Sequence, residues 1–568
     1  MEDRRTALAI LLAIIVIMVY SEVVMAPYNR PILRQTEQTE SPSQAPASGV
    51  ANQQTPASQT IHVPPASVST TPTREQYLVS PSITLESDEL SVKVSLLGGR
   101  ITSFALKPYK VTLGQEQPID LVDPLSKTFP LGVYSGGVDD AAVEYKLTGV
   151  TTGILPDSNT YIIPSDTPLS LNLTGTLPNG IEIKKTLRFS NQSFFFDVEL
   201  ELSAPPPDGS RVWIEWVSFL SQAKATSERW NLSAFVLLNQ DNSVTRIDSS
   251  KAPLSPTESA DRWISFGDNY FFTAIIPAIS GPNTSFWKDD DSFIFRAVGA
   301  KQEGKFKFYA GPKSPEFFGD GSFELKRSID LGWFAFIGQP ILIGIELLHS
   351  LLGNYGLAII LLTLILKAVL LPLTKSSFKS MKAMQDLQPE IKAMRERIKD
   401  PNELNQATME LFKRHGVNPM GGCLPVFLQL PIFLGMYNAL RTSFHLRHAN
   451  FALWINDLAA PERLHILGVP VPVMILIMGA TMLIQQITTP TSAPPEQRRM
   501  MLLMPLFFTG MFIIWPFPSG LVLYWLVNNL ISIVQQVTLR SERHITPLQA
   551  TALGSAAIFG FGFVLTLL

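Results

Sequence analysis

The sequence predicts a multi-domain integral membrane protein: an N-terminal anchor helix, an all-β domain outside the membrane, and an all-α transmembrane core of five helices. Three observations predict it. Apolar residues make up 46% of the 568-residue chain but are bunched at its start and after residue 330. Between those blocks, from about Ile83 to Leu325, apolar and polar residues alternate in short runs separated by Gly, Pro, Asn and Asp. Lys and Arg, finally, are shared unequally among the loops that join the apolar segments, and such a bias orients a membrane protein.

The anchor occupies residues 1–26. Arg4 and Arg5 precede an almost uninterrupted apolar run from Thr6 to Ala26. A cleaved signal peptide would have an apolar stretch of ~7–15 residues and a small-residue cut site. Here the run approaches the ~20 residues that span a bilayer, and Pro27 follows the best cut site, so the anchor is read as retained. Residues 27–80 are rich in Gln, Ser, Thr, Pro and Ala, with too few large apolar groups to offset chain entropy, and are expected to form a flexible tether.

Period-two runs such as Leu90–Leu96 and Phe194–Leu202 then predict an all-β sandwich over residues 81–328. The only histidine before the membrane region, His62, lies in the tether, and acidic residues are scattered among turns. A binding or spacing module is the expectation for this domain; a membrane-tethered carbohydrate enzyme is the alternative.

Residues 332–352 are apolar but interrupted by Gln339, Pro340, Glu346 and His349, which suits an amphipathic helix lying in the interface. The core, 353–540, follows with crossings at Tyr355–Leu373, Leu424–Leu440, Val471–Ile487, Met501–Trp515 and Leu521–Leu539. The loop from Lys375 to Gly421 carries nine Lys and Arg, against three in Arg441–Gly468. That places the first loop in the cytoplasm and the β domain outside. Within it, residues 376–416 are expected to form a helical hairpin. Met381, Met384 and Met394 fall on one apolar stripe, which either packs the hairpin together or offers an adaptable surface to apolar partners. Residues 551–568 form one more apolar segment, a candidate extra crossing that would leave the C-terminus outside.

Lys367 lies inside the first core crossing, eight residues before Lys375 and so about 12 Å from its cytoplasmic end. A lysine at that depth costs roughly 2.5–3.5 kcal/mol on insertion scales and marks a functional site by default. It either snorkels toward the headgroups or shares a wet cavity with Thr363, Gln429 and Asn528. Such a cavity would hold polar or acidic stretches of another chain partway into the bilayer. Lys plus Arg (45) and Asp plus Glu (48) nearly cancel, so no specific nucleic acid is expected as a partner. Cys423 stands alone, which excludes an internal disulfide and a paired-thiolate metal site. No G-x-x-x-x-G-K-[ST] loop occurs, so neither a cofactor nor nucleotide hydrolysis is expected. A transporter or channel subunit is the main alternative, although no internal repeat supports it.

Several motifs resemble the YidC/Oxa/Alb insertase family. They are Asn418–Pro425 followed by Gln429–Phe433, Phe451–Leu458, Phe517–Trp525, and upstream Ile337–Pro340 with Leu371–Lys375. The resemblance is strong over residues 330–540. The anchor, tether and β domain fit the Gram-negative form, whose periplasmic domain is a β-supersandwich. The resemblance implies a hydrophilic groove open to cytoplasm and lipid, and it implies nascent membrane proteins as substrates, handled alone or beside the Sec translocon in the bacterial inner membrane. The groove's basic residue, usually arginine, falls on Lys367. Thr363 and Gln429 fall on groove-lining positions, and Tyr524 and Trp525 on an aromatic stretch that either meets substrate or packs at the interface. The family usually ends in a basic tail that helps bind the ribosome; Ala552–Leu568 is apolar instead, which argues against the ribosome as a partner through such a tail.

Overall fold

The computed structural model describes residues 72–123, 125–151, 159–219, 232–278, 283–417, 424–489, 495–515, 517–540 and 547–567. The expected anchor at 1–26, and most of the tether, lie outside them. The end of the tether departs from expectation. Residues 74–79 are not loose chain but a short helix, α1 (Arg74–Val79), with Tyr77 almost fully buried. The Thr73 amide donates to Gln76 Oε1 at 2.7 Å, closing the first turn. The Tyr77 ring meets Phe129 edge-on at 5.6 Å. One aromatic side chain, invisible against the polar composition around it, moves the start of the domain back to this helix.

The β domain contains three sheets, of nine, six and five strands. The nine-stranded sheet is antiparallel throughout, and its middle strands are Glu182–Phe189, Phe195–Leu202, Glu303–Pro312 and Phe271–Pro277. Register places Phe189 opposite Phe196 and Phe196 opposite Phe308. The three rings therefore stack in a row, with centroids 4.9 and 5.0 Å apart. Trp216, from Trp213–Phe219 of the six-stranded sheet, reaches across to Phe196 and Phe308, while Phe104 of the five-stranded sheet meets Phe196 from its own side. Each such pair contributes roughly 0.5–1.5 kcal/mol beyond the area it buries. Period two in the sequence thus becomes a single aromatic core gripped by all three sheets.

Lys185 shares a face with Leu187 and Phe189 and so points inward, where it has no contact with solvent. Its ammonium donates to the carbonyls of Gly98, Gly99 and Leu131 at 3.1, 3.3 and 2.9 Å, and to Asp140 Oδ2 at 2.8 Å. Asp140 also receives Tyr145 and the Val133 amide, and pairs with Arg100 at 3.1 Å. Pairing with Asp140 offsets the cost of burying both Lys185 and Arg100. The centre joins strands from distant parts of the sequence by hydrogen bonds that a slipped register would break.

After the β domain the chain is helical: α2 (Ala335–Leu352), α3 (Tyr355–Val369), α4 (Leu371–Asp386), α5 (Gln388–Arg397), α6 (Pro401–Arg414), α7 (Leu424–Thr442), α8 (Val473–Thr488), α9 (Pro495–Ile514), α10 (Ser519–Arg540) and α11 (Pro547–Leu567). By length and composition, α2 and residues 519–538 of α10 can each cross a membrane. The pair α3 and α4 passes the same test together but is bent by 59°, and α8 and parts of α9 and α11 are shorter apolar helices. The bend falls at Leu370, just before Pro372 in the first turn of α4. The first arm of the expected hairpin is likewise broken, at Leu387, because Pro389 in the first turn of α5 cannot continue the helix before it. The second arm, α6, starts on Asp400, whose carboxylate accepts the Asn402 amide at 3.0 Å.

The β domain is tied to the helices through the loop after α7. Phe444 inserts edge-on among Tyr109, Phe271 and Phe317, with centroids 5.2–6.1 Å away. Arg447 donates to the carbonyls of Lys110 and Val111 at 2.9 and 3.0 Å. The loop then forms a small hairpin, Leu464–Ile466 with Val469–Val471, turned by Leu467 and Gly468 at positive φ.

Burial lowers the Lys185 ammonium to about 8, against the pull of Asp140. Between that value and its ordinary 10.5 the unfolded chain holds more protons than the folded one, so stability contributed at this site rises with pH. Replacing Lys185 by Met removes that dependence and leaves three carbonyls unsatisfied, a loss of roughly 3–5 kcal/mol. Denaturant unfolding of wild type and Lys185→Met should show the gap between them widening from pH 8 to 10.

Candidate functional site: a polar seam in the helical bundle

Helix α10 packs on α3, α8 and α11, with α7 also against it. Its sequence sets Tyr524, Asn528, Ser532 and Gln536 four residues apart. Helical geometry makes these one ridge, about 18 Å long. All four are largely buried, so the ridge faces the neighbouring helices. A buried polar ridge needs partners on the opposing helices, and it finds them on three. From α3, Lys367 Nζ donates to Ser532 Oγ at 2.9 Å, and Ser532 in turn donates to the Asn528 carbonyl at 2.8 Å. From α7, Gln429 Nε2 donates to the Tyr524 hydroxyl. From α8, Thr488 donates to Gln536 Oε1 at 2.6 Å, and Gln536 Nε2 donates to Thr489 at 3.0 Å. About two turns away along both helices, Asn529 on α10 donates to Thr481 on α8 at 3.3 Å.

Lys367 is partly rather than fully buried, and among the described residues it joins no ion pair. The seam therefore carries an ammonium whose neighbours are a hydroxyl and a helix backbone. Thr363, one turn from Lys367, is buried and spends its hydroxyl on the Ile359 carbonyl of its own helix at 2.7 Å. Trp525 leaves the ridge for an aromatic cluster: it meets Phe433 on α7 at 4.7 Å and Phe512 on α9 at 5.4 Å, edge-on to both. Gln429 and Tyr524 thus form one contact and Lys367 and Ser532 another, about two turns apart along α10, and Asn528 joins the second only through its backbone carbonyl. Met381, Met384 and Met394 belong to α4 and α5, away from both contacts, and each is partly exposed.

Sequence reasoning did not single out Ser532, Thr481 or Thr488. The signal that finds Ser532 is the four-residue spacing on α10, which points at a partner for Lys367 without any need for an acid.

These features define a membrane protein that joins a β-sandwich domain to a helical bundle with a polar interior seam. Residues 347–546 match the family model described as 60Kd inner membrane protein, and residues 82–343 match that of the YidC periplasmic domain. The membrane protein insertases YidC of Maridesulfovibrio salexigens and Pelobacter propionicus are 32% and 34% identical to this chain, in each case over 94% of it and 98% of the relative. The chain belongs to the YidC family of membrane protein insertases, which are not enzymes. Among solved structures, a YidC insertase with its first transmembrane domain resolved overlays with a TM-score of 0.36 at 19% identity, over 82% of this chain and 96% of that one.

Ser532→Val removes the side-chain acceptor that Lys367 has among the described residues and is expected to destabilise the bundle by roughly 1–3 kcal/mol. In a double-mutant cycle with Lys367→Met the two losses should fall short of additive by about 1 kcal/mol or more. Unfolding in mixed micelles measures both.

Proposed function

We propose that this protein accepts nascent inner-membrane proteins in a hydrophilic groove built on the α3–α10 seam, open to the cytoplasm, and releases them into the bilayer. The observation that carries this reading is the Lys367–Ser532 contact: a cation inside an apolar bundle, held by a hydroxyl and not neutralised by a carboxylate among the described residues. A polar segment entering a bare bilayer must shed its water at a cost of several kcal/mol per unpaired group. A groove lined by Lys367, Ser532, Asn528 and Gln429 replaces part of that water before the segment leaves the aqueous phase. The positive charge draws acidic stretches of the incoming chain and holds them while its apolar part partitions into lipid.

The way out lies between α7 and α9, across Trp525 and Tyr524. Among the described residues α7 packs on α2, α4 and α10, and α9 on α8, with Trp525 between the two. Aromatic rings and the Gln429–Tyr524 contact there offer both apolar and polar purchase to a departing helix. Met381, Met384 and Met394, on the cytoplasmic arm, supply flexible apolar contacts to a segment before it reaches the groove. The chain works alone or beside the Sec translocon, and the free energy of partitioning drives the movement without nucleotide hydrolysis of its own.

In this reading the protein sits in the bacterial inner membrane as a multi-pass chain with Lys375–Gly421 inside and the β domain in the periplasm. Helix α2 lies in the interface. Its buried face is Gly338, Ile341 and Ile345; Phe336, Ile343, Leu347 and Leu351 form an exposed apolar stripe, and Gln339, Glu346 and Ser350 an exposed polar one beside it. An apolar stripe for lipid and a polar one for water suit the membrane surface. Helix α11 adds a crossing antiparallel to α10: a Cβ at Gly554 would press on Val534, and one at Gly562 on Ile360, so small residues let this helix seat closely against α10 and α3.

Proteoliposomes holding the purified chain should insert a small Sec-independent membrane protein well above empty liposomes. Lys367→Leu should slow this roughly tenfold or more, the effect of losing a charged-group hydrogen bond of about 1.5–3 kcal/mol. Lys367→Arg should retain most of it. Equal insertion by wild type and Lys367→Leu would remove the charge from the mechanism, and no insertion by folded wild type would remove the autonomous activity.

A further inference from the structure

Where the β domain meets the outer end of α7, a small cleft is lined by Arg246 from the nine-stranded sheet, Lys313 just after its strand Glu303–Pro312, Asp330 from the linking segment, and Arg441 and Thr442 from the last turn of α7. Three cations converge here. Arg246 is engaged: its Nε lies 3.2 Å from Asp330, and its Nη2 donates to the Ser328 carbonyl at 2.6 Å. Asp248, also on the rim, faces Lys251 at 3.9 Å. The other two cations lack a direct ion pair, although Asp268 and Asp330 attract Lys313 from farther off. Lys313 is 6% exposed, and its ammonium donates to the Asp268 carbonyl at 3.0 Å. Arg441 buries its Nε without a hydrogen-bond partner, and its guanidinium lies 5.4 Å from the Tyr437 ring. Among the described residues neither forms an ion pair.

Two desolvated cations facing one small cleft, with the nearby carboxylates already engaged, is an arrangement that stays costly until an anion enters. We infer that this cleft is a binding site for a phosphate group, held by Lys313 and Arg441 at the seam between the β domain and the membrane helices. The planar guanidinium of Arg441 suits two oxygens of a phosphate, and the ammonium of Lys313 a third. On the topology proposed above, a cleft at this end of α7 faces the outer-leaflet headgroups, so a phospholipid phosphate and a free phosphate are both chemically admissible. Burial, reinforced by Arg246, lowers the Lys313 ammonium to about 7, and an anion beside it would restore its charge. An occupied cleft would fasten the β domain to the bilayer surface, in parallel with the Phe444 and Arg447 contacts.

The test uses the full chain in detergent and follows the shift in thermal unfolding with added inorganic phosphate, with dioctanoyl phosphatidylglycerol, and with dioctanoylglycerol as the phosphate-free control, against chloride at equal ionic strength. Expected is a saturable upward shift with a phosphate-bearing probe that is absent with dioctanoylglycerol and lost in Lys313→Met/Arg441→Gln. Asp330→Asn, which removes a competing carboxylate, should lower the half-saturating concentration, a gain that misfolding cannot imitate. Saturation by the lipid at tenfold lower concentration than inorganic phosphate identifies a headgroup site; equal concentrations identify a free-phosphate site. No saturable shift beyond chloride, or an equal shift in the double variant, overturns the proposal.

Discussion

A single ammonium sets the terms for the helical part of this molecule. Lys367 lies in the middle of an apolar stretch, Leu361–Leu370, where an unpaired charge is expensive. The fold meets that cost with hydroxyls, amides and a helix backbone. Ser532 receives the proton donor, Asn528 receives Ser532, and the same ridge of α10 continues to Gln429 at one end and to Thr488 and Thr489 at the other. A carboxylate would have settled the local electrostatics more completely, but it would also have cancelled the charge. Hydroxyl partners keep the site polar and positive together. That combination ties the choice of residues on α3 to the four-residue spacing on α10.

The β domain solves a different problem by a different route. Its centre buries Lys185, Arg100 and Asp140, and there Asp140 pairs with both cations. Such a centre does no chemistry on a ligand; it locks register among strands that alternating hydrophobicity alone leaves free to slip. The contrast with Lys367 is instructive. Lys185, paired with a carboxylate, stabilises one arrangement of a scaffold, whereas Lys367, partly exposed and held by a hydroxyl, keeps its charge uncancelled among the described residues. The loop after α7 joins the two halves through Phe444 and Arg447, so the β domain is seated on the bundle and not merely strung from it.

Much of this architecture was legible in the sequence, for identifiable reasons. Strong periodicity and long apolar runs revealed the all-β and all-α parts, because period two and helical crossings leave a signal in every residue. Lys367 stood out because a charge in an apolar run is improbable without a purpose. What escaped was relational. Tyr77 buries against Phe129 from within a polar stretch, and no local pattern marks it. The breaks at Leu370 and Leu387 follow from Pro372 and Pro389, which were visible but lay in segments whose apolar pattern ran through them. Ser532 as the partner of Lys367 depends on two helices 165 residues apart meeting at one depth, which spacing suggests and only packing decides.

The central claim is that the Lys367 site is wet and faces the cytoplasm. The most direct measurement is thiol reactivity at position 532. In a Cys423→Ser background, Ser532→Cys is close in size to the native residue, so the surrounding packing is kept, and a membrane-impermeant thiosulfonate can be applied to vesicles of either orientation. The account expects modification when the cytoplasmic face is exposed and little when only the periplasmic face is. Reactivity from the periplasmic face alone, or from neither, would contradict it: the first would reverse the groove, and the second would make Lys367 a structural residue in a dry bundle.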